Sequence, residues 1–508
     1  MKMVKSLILG SAAGLIAMSG AQAADLPVKA KAVEYVRICS LYGAGFFYIP
    51  GTDTCIKLGG YVRIDTTFNG NIYGGPAWSS DLGQGNRYRD YFASRSRMAL
   101  TVDTRTATEY GVVRTFGQGD FQFNNFGSSN PAVTGAAGSN PLNTPGGGYV
   151  AVEMVFIQFA GFTFGKSSSA FATPWNGYPG NNNSFLMGGH DTVTGVNNIQ
   201  YTAQFGNGVS GTIGLDDPTV FNRTAVLNLG VAAGATAAGA NAYAGTHSPD
   251  VVGNIRVDQA WGLFQISGAL HEVSASYNIL GAAGAPTALS EISGHPDTKW
   301  GGAVSAALQI KNIPTGAGDD FKIDATYAKG DTKQVISTSV ASPSFAMFSG
   351  TGNPAAYQSI GFGQTADAVY VPGGDIKLVD AWGVRGAFNH NWDPYWSTSL
   401  WGSYASVRYN GSALDLTSAK GQWCANYSVG KGAGFTCNPD FNTAQVGVVT
   451  RWTPVKNLTF SAEVGAFFLD QKMSGIATLA AAAPKPTTVY EFKDQSTVYL
   501  NVRAQRNF

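Results

Sequence analysis

This 508-residue chain is poor in charge. Lys, Arg, Asp and Glu together make up 13% of it, about half the share of an ordinary soluble domain. Its formal charge is near zero, which excludes an electrostatic partner such as a nucleic acid. Histidines number five, at 190, 247, 271, 295 and 390, in unrelated segments. No Cys or His sits at zinc-ligand spacing, so no metal is implied. No Gly-x-Ser-x-Gly elbow, phosphate loop or His-Glu-x-x-His run appears, so the motifs for catalysis or a cofactor are missing. Beyond the first residues no stretch reaches the roughly 18 apolar residues that a spanning helix requires.

What is present is glycine, 65 residues, and aromatics, 12%. The start, Met1-Lys2-Met3-Val4-Lys5, is basic; Ser6 to Met18 is apolar, and Ala21-Gln22-Ala23 has a small-x-small form. Residues 1–23 therefore read as a secretory signal peptide, and 24–508 as one exported domain of 485 residues (508 − 23). In an exported chain four cysteines, Cys39, Cys55, Cys424 and Cys437, suggest two disulfides. The local pairing is the simplest of the three connectivities. From composition alone, a transmembrane β-barrel competes with a large secreted β-sandwich.

Alternation favours the barrel. In 55–69, Ile56, Leu58, Val62, Ile64 and Phe68 face one way and Lys57, Tyr61, Arg63, Asp65 and Thr67 the other. In 94–105, Met98, Leu100 and Val102 oppose Arg95, Arg97, Thr101, Asp103 and Arg105. The pattern recurs at 109–118, 149–160, 162–168, 195–205, 209–216, 251–258, 261–274, 298–311, 320–330, 374–388, 396–409, 441–452, 458–471 and 493–508. Seven short connections with turn chemistry, such as Asn207-Gly208 and Asp393-Pro394, alternate with eight long ones. Short periplasmic turns and long outer loops are the asymmetry of outer-membrane barrels, and here they imply sixteen strands, with fourteen or eighteen as alternatives. A ring that wide holds water rather than side chains, which accounts for a polar inner face.

On that face fall the basic residues Arg63, Arg95, Arg97, Arg385, Arg451 and Arg503 and the acidic residues Asp65, Asp103, Asp324 and Glu463. A cluster of them is expected to set ion preference; singly, each can also be merely solvated or paired. The connection 167–194, with Trp175, Asn182, His190 and Asp191, is the candidate constriction. The closing run ends on Phe508, with Val498, Leu500, Val502 and Ala504 on the outer face and Arg503 on the inner.

Several runs resemble the alphaproteobacterial general porins of the rhizobial and Brucella type: VRICSLYGAGFFYIPGTDTCIKLGGYVR at 36–63, FIQFAGFTFGK at 156–166, TRWTPVKNLTF at 450–460 and RAQRNF at 503–508. The resemblance implies a sixteen-stranded all-β antiparallel barrel in the bacterial outer membrane, among lipid and lipopolysaccharide. It implies a homotrimer that passes small hydrophilic solutes and ions by passive diffusion. It also implies that the third long loop folds into the lumen, and that Phe508 is a C-terminal signal for the barrel-assembly machinery. Arg506 departs from the aromatic that many barrels carry at that position. Loops 331–373 and 410–440 are long enough to hood the entrance. The rival readings are a substrate-specific channel of the same fold and an adhesin or structural barrel with a closed lumen.

Overall fold

The computed structural model describes residues 37–71, 73–76, 91–124, 148–175, 177–190, 194–220, 222–231, 237–281, 284–336, 344–480 and 485–508. The expected signal segment 1–23 and Asp191 lie outside the described residues.

Residues up to Ile56 form a small unit of their own. A 3-10 turn, Ser40–Tyr42, precedes a two-residue strand, Phe47–Tyr48, that pairs with Cys55 and Ile56. The Cys39–Cys55 disulfide and Phe46 are its buried centre.

The second unit is a closed antiparallel ring of sixteen strands. They are β1 (Thr54–Phe68, in this unit from Lys57), β2 (Phe92–Thr108), β3 (Gly111–Asn124), β4 (Tyr149–Phe159), β5 (Phe162–Ser167), β6 (Val196–Gly206), β7 (Val209–Asp216), β8 (Asp250–Gln259), β9 (Gly262–Val273), β10 (Lys299–Lys311), β11 (Asp320–Lys329), β12 (Asp380–Asn391), β13 (Trp396–Arg408), β14 (Phe441–Val455), β15 (Leu458–Gln471) and β16 (Gln495–Asn507). Each pairs with the next in sequence, and β16 closes on β1 in the register Tyr61↔Asn507 to Phe68↔Leu500. Backbone bonds between Gly60 and Phe508 extend the seam, at 3.2 and 3.1 Å. Closure leaves no unpaired edge to face lipid.

All sixteen expected strands are present, most with bounds within three residues of the expected ones. Two bounds differ by six. β3 runs to Asn124, six residues past the expected end, because its glycines and glutamines mask a continuing alternation. β12 begins at Asp380 rather than 374, because the residues before it belong to a loop sheet.

The outer face is apolar: Leu58, Ile64, Val155, Ile199, Ile213, Ile266, Leu400 and Val498 are all exposed, the pattern of a lipid-facing band. Tyr110, Phe205, Trp261, Trp392 and Trp452 lie at or beside the short turns and are also exposed, an aromatic girdle at one interface. The Asn207-Gly208 turn has both residues at positive φ, 50° and 73°, as a type I′ hairpin requires. A Cβ at Gly208 would meet the Asp258 carbonyl oxygen at 2.0 Å, so only glycine fits.

The long loops are not loose. Ala240–Asn241, Ala225–Asn228, Ala366–Tyr370 and Lys377–Leu378 form a four-stranded sheet. Ser344–Ser349, Gln358–Gln364, Thr488–Phe492, Ile476–Leu479 and Gly430–Lys431 form a five-stranded one. Each joins strands from different loops, and both contain a parallel pair. A short helix, α1 (Ala288–Ile292), and a longer one, α2 (Ala419–Asn426), are capped by Thr287 and Ser418. The Trp423 ring on α2 is fully buried, stacks on Tyr427 and donates its indole N–H to Gln364 Oε1 at 3.1 Å. Phe345, Ile360, Phe441, Phe467, Leu469 and Tyr490 share its cluster. The expected hood over 331–373 and 410–440 is thus a packed layer with its own hydrophobic core, tied by the Cys424–Cys437 disulfide.

Where the hood meets the rim, Asp367 accepts from Thr224 N and Thr332 N at 2.9 and 2.7 Å, and from the Tyr243 hydroxyl at 2.9 Å. His271 bonds both Asp250 and Tyr243. Asp331 is fully buried beside this group. Burial holds its carboxyl well above the ordinary range, with Asp250 and Asp367 adding to the rise and His271 opposing it.

Two outcomes follow from these loop contacts. The double substitution Cys424→Ser, Cys437→Ser should cost the hood about 2–3 kcal/mol of local stability. Limited proteolysis should then cut within 410–440 while the ring stays intact. A carboxyl raised in the folded state adds stability that is full below about pH 4, the ordinary value, and is lost as pH rises through the folded value. Hydrogen-exchange protection factors at 330–336, taken relative to the intrinsic rate at each pH, should therefore rise on acidification, and Asp331→Asn should flatten that dependence.

Candidate functional site

The site is the lumen, and the pleat decides what enters it. Residues paired across the ladder share a face, so Asp65 and Arg503 meet at the seam. Asp65 accepts from Arg503 Nε at 2.5 Å and from Arg95 Nε at 2.9 Å. Arg63 donates to Gln505 Oε1 at 2.8 Å and lies over the Tyr61 ring. Arg97 donates to Asp120 at 2.5 Å and Gln122 at 2.8 Å, with Glu153 at 3.8 Å. Asp103 holds both Arg105 and Arg114. Tyr73, from the first long loop, lies against Arg95 and Arg97. The structure thus gathers Arg63, Arg95, Arg97 and Arg503 into one sector, as the pattern suggested, and pairs most of them. Six arginines (63, 95, 97, 105, 114, 503) meet four carboxylates (65, 103, 120, 153) there, an arginine excess of two, to which Lys57 on the same face of β1 adds one more positive charge.

The third long loop, 168–195, leaves β5 and crosses to the other side. Asn254 on β8 and Gln265 on β9 donate to the Ala170 and Ala172 carbonyls, each at 2.6 Å. Asn389 on β12 donates to Pro179 O at 3.2 Å, and Arg451 on β14 to Gly180 O at 2.6 Å. Glu463 on β15 accepts from the Asn182 backbone N–H and from Asn183 Nδ2, the latter at 2.7 Å. The Asn182 amide donates to Ser461 at 2.8 Å. Gln445 on β14 accepts from Met187 N and donates to Phe185 O, at 3.0 and 2.7 Å. Arg385 holds both oxygens of Asp324 through Nε and donates to the Leu186 and His190 carbonyls, at 3.1 and 2.6 Å.

Glycine makes the docking possible. A Cβ on Gly383 of β12 would come within 2.5 Å of Gly188 Cα, and one on Gly189 within 2.2 Å of Asp324. Phe171, Phe185 and Met187 share the hydrophobic cluster of the hood. His190 bonds Gln334 at 2.6 Å, and Gly188 N donates to Val335 O at 2.7 Å. The loop is therefore held from the wall and from above.

This geometry changes the part played by four residues expected to line open water. Arg385, Asp324, Arg451 and Glu463 face the lumen, but the loop lies on them and uses their polar atoms as anchors. Arg385, Asp324 and Glu463 are essentially unexposed, and so are Asp65 and Arg95, expected to line the pore but buried in their own ion pair. The alternation rule gives a face, not what covers it. Trp175, on the loop itself, is also buried. Sequence reading missed Asp120 as the partner of Arg97, because it placed the end of that strand at 118. It also missed Gln445; a glutamine on the polar face of 441–452 was its only signal.

The family model for the porin subfamily matches residues 25–501. The chain belongs to the porin subfamily. It is 38% identical over 264 residues to Porin Omp2b of Brucella abortus (strain 2308), a stretch covering 51% of this chain and 63% of that protein. The match to Porin Omp2b of Brucella melitensis is 37% over the same length. The alignment thus spans less than two thirds of these relatives. A crystal structure of the outer membrane channel DcaP of Acinetobacter baumannii covers 91% of this chain and 99% of its own, at TM-score 0.54 and 13% identity, and so shares the fold. Membership of this family makes the chain a bacterial outer-membrane β-barrel.

Arg385→Met should leave the Asp324 carboxylate buried without its cation, a loss of about 3–5 kcal/mol. The same change removes both carbonyl contacts of the loop. Hydrogen exchange at Phe185–His190 should rise sharply while the β11–β12 ladder away from residue 385 stays protected; unchanged exchange would show that the loop does not depend on this anchor.

Proposed function

We propose that this porin is a water-filled passive diffusion channel for small hydrophilic solutes and ions, narrowed by the 168–195 loop. The observation that carries this reading is the course of that loop. It runs inside the ring, anchored to β8–β9 and β12–β15, and reaches Tyr499 on β16 and Tyr73, which lies on Arg95 and Arg97, beside the arginine-rich sector of β16–β4. A low-dielectric wall focuses the field of a charge excess into the passage, so flux is driven by the solute gradient and weighted toward anions. Arg63 and Asp103, which keep partial exposure, act as pore-lining charges; Arg95, Arg97, Arg503 and Asp65 are buried and act through the field of the sector. Arg385, Arg451, Asp324 and Glu463 fix the constriction loop that carries Trp175, Asn182, His190 and Asp191.

The working unit in this proposal is a homotrimer in lipid and lipopolysaccharide. It is delivered after removal of residues 1–23 and inserted by the barrel-assembly machinery, for which Phe508 is the signal. The exposed apolar outer face is consistent with lipid and subunit contacts.

Purified protein in planar bilayers should give stepwise conductance; its absence would sink the channel reading in favour of an adhesin or structural barrel. Arg63→Gln with Arg503→Gln removes two charges, equal to the arginine excess. In a KCl gradient the reversal potential should move toward cation preference. A potential that stays put would remove the arginine sector from the account of selectivity.

A further inference from the structure

Two phenylalanines face the lumen. Phe116 on β3 is paired with Asp103 on β2 and with Phe156 on β4, and residues paired across the ladder share a face. Both rings therefore stand on the inner face with Asp103, near the short turns. They stack, with centroids 5.3 Å apart and planes at 26°. Trp401, Phe441, Phe467 and Tyr499 also point inward, but they are buried in the contacts of the loop and the hood. Phe116 and Phe156 keep partial exposure. Gly165, opposite Phe156 on β5, has no side chain to cover the ring.

One layer nearer the turns, Arg105 is paired with Arg114, and Arg114 with Gln158. The Arg114 guanidinium lies 5.3 and 5.5 Å from the two ring centroids. It holds Asp103 through Nε and Nη2, at 3.1 and 2.9 Å, and Gln158 Oε1 through Nη1 at 2.8 Å. Those bonds use three of its five N–H groups and leave one on each Nη. Arg105 shares the same carboxylate at 3.2 Å. Two guanidiniums on one carboxylate leave an excess of one positive charge, and their side chains keep 30% and 28% exposure. Rings and guanidiniums are thus open to a solute in the lumen.

Apolar rings exposed beside a cationic group select an occupant that is apolar on one side and anionic at one end. A small inorganic anion would serve the arginines and leave the rings in water. A sugar brings no charge, and the local excess repels an organic cation. A planar aromatic ring stacks on the phenyl pair, and a carboxylate on that ring reaches the arginine edge, where charge-assisted bonds form. We propose that Phe116, Phe156, Arg105 and Arg114 form a binding site for small aromatic carboxylates. The site makes passage of such solutes saturable, while small anions without a ring pass in proportion to their concentration. It rests on the channel reading above.

The test is titration of benzoate at pH 7 against single-channel current in planar bilayers. Acetate, the charge without the ring, and benzamide, the ring without the charge, run in parallel. Benzoate should give a saturable block and the two controls only a linear change. Phe156→Thr, which removes one ring from a face that accepts polar groups, should raise the half-blocking concentration about three- to tenfold. Phe116→Thr should do so independently from the neighbouring strand, which covers the case where one variant fails to fold. Stepwise conductance in which benzoate behaves like either control overturns the site and leaves the channel standing. Saturable benzoate block that neither substitution shifts also overturns it, by placing the binding elsewhere. Absence of any conductance overturns the channel reading and the site with it.

Discussion

The structure depends on one pairing, that of Tyr61–Phe68 with Leu500–Asn507. Until those segments meet, the sheet has two edges whose backbone groups would face hydrocarbon. Each unsatisfied group costs several kcal/mol there, so an open sheet has no place in a membrane. Once they meet, every strand is internal, the polar side chains share a lumen, and Asp65 can hold both Arg95 and Arg503. The closure contact is therefore also what assembles the arginine sector.

The lumen is not uniform. The β16–β4 side carries an arginine excess balanced in part by Asp65, Asp103, Asp120 and Glu153. The β12–β15 side uses its charges on the loop: Arg385 and Arg451 grip carbonyls and Glu463 grips amides. The β6–β9 side is nearly neutral and encloses a cavity of about 650 Å³ with the 168–175 segment. Buried charges are tolerated on the second side because each is paired or hydrogen-bonded. The loop supplies those partners with its backbone.

The hood adds a second layer of organisation. Its sheets take strands from several loops, and its core continues into Phe171, Phe185 and Met187 of the 168–195 loop. The hood and this loop therefore share one packed core.

The strand count, the alternation of short and long connections, and the inner and outer faces were legible in the sequence, because a half-polar strand in lipid has a strict period of two. The presence of Arg63, Asp65 and Arg503 in one sector was legible too, since closure in a ring leaves the last strand one neighbour. What escaped was everything made by non-local contact. The segment 230–245 is rich in Ala and Gly and carries no strand alternation, yet Ala238 is a core residue of the hood, held by Gln364 more than a hundred positions away. Arg385 and Glu463 read as pore lining, yet a loop from the other wall covers them. By itself the sequence determined a ring and its faces, because those follow from local pleat and from the solvent on each side. Only the tertiary structure decided which inward groups meet water and which hold the loop, because that choice belongs to a segment nearly two hundred residues earlier in the chain than Arg385.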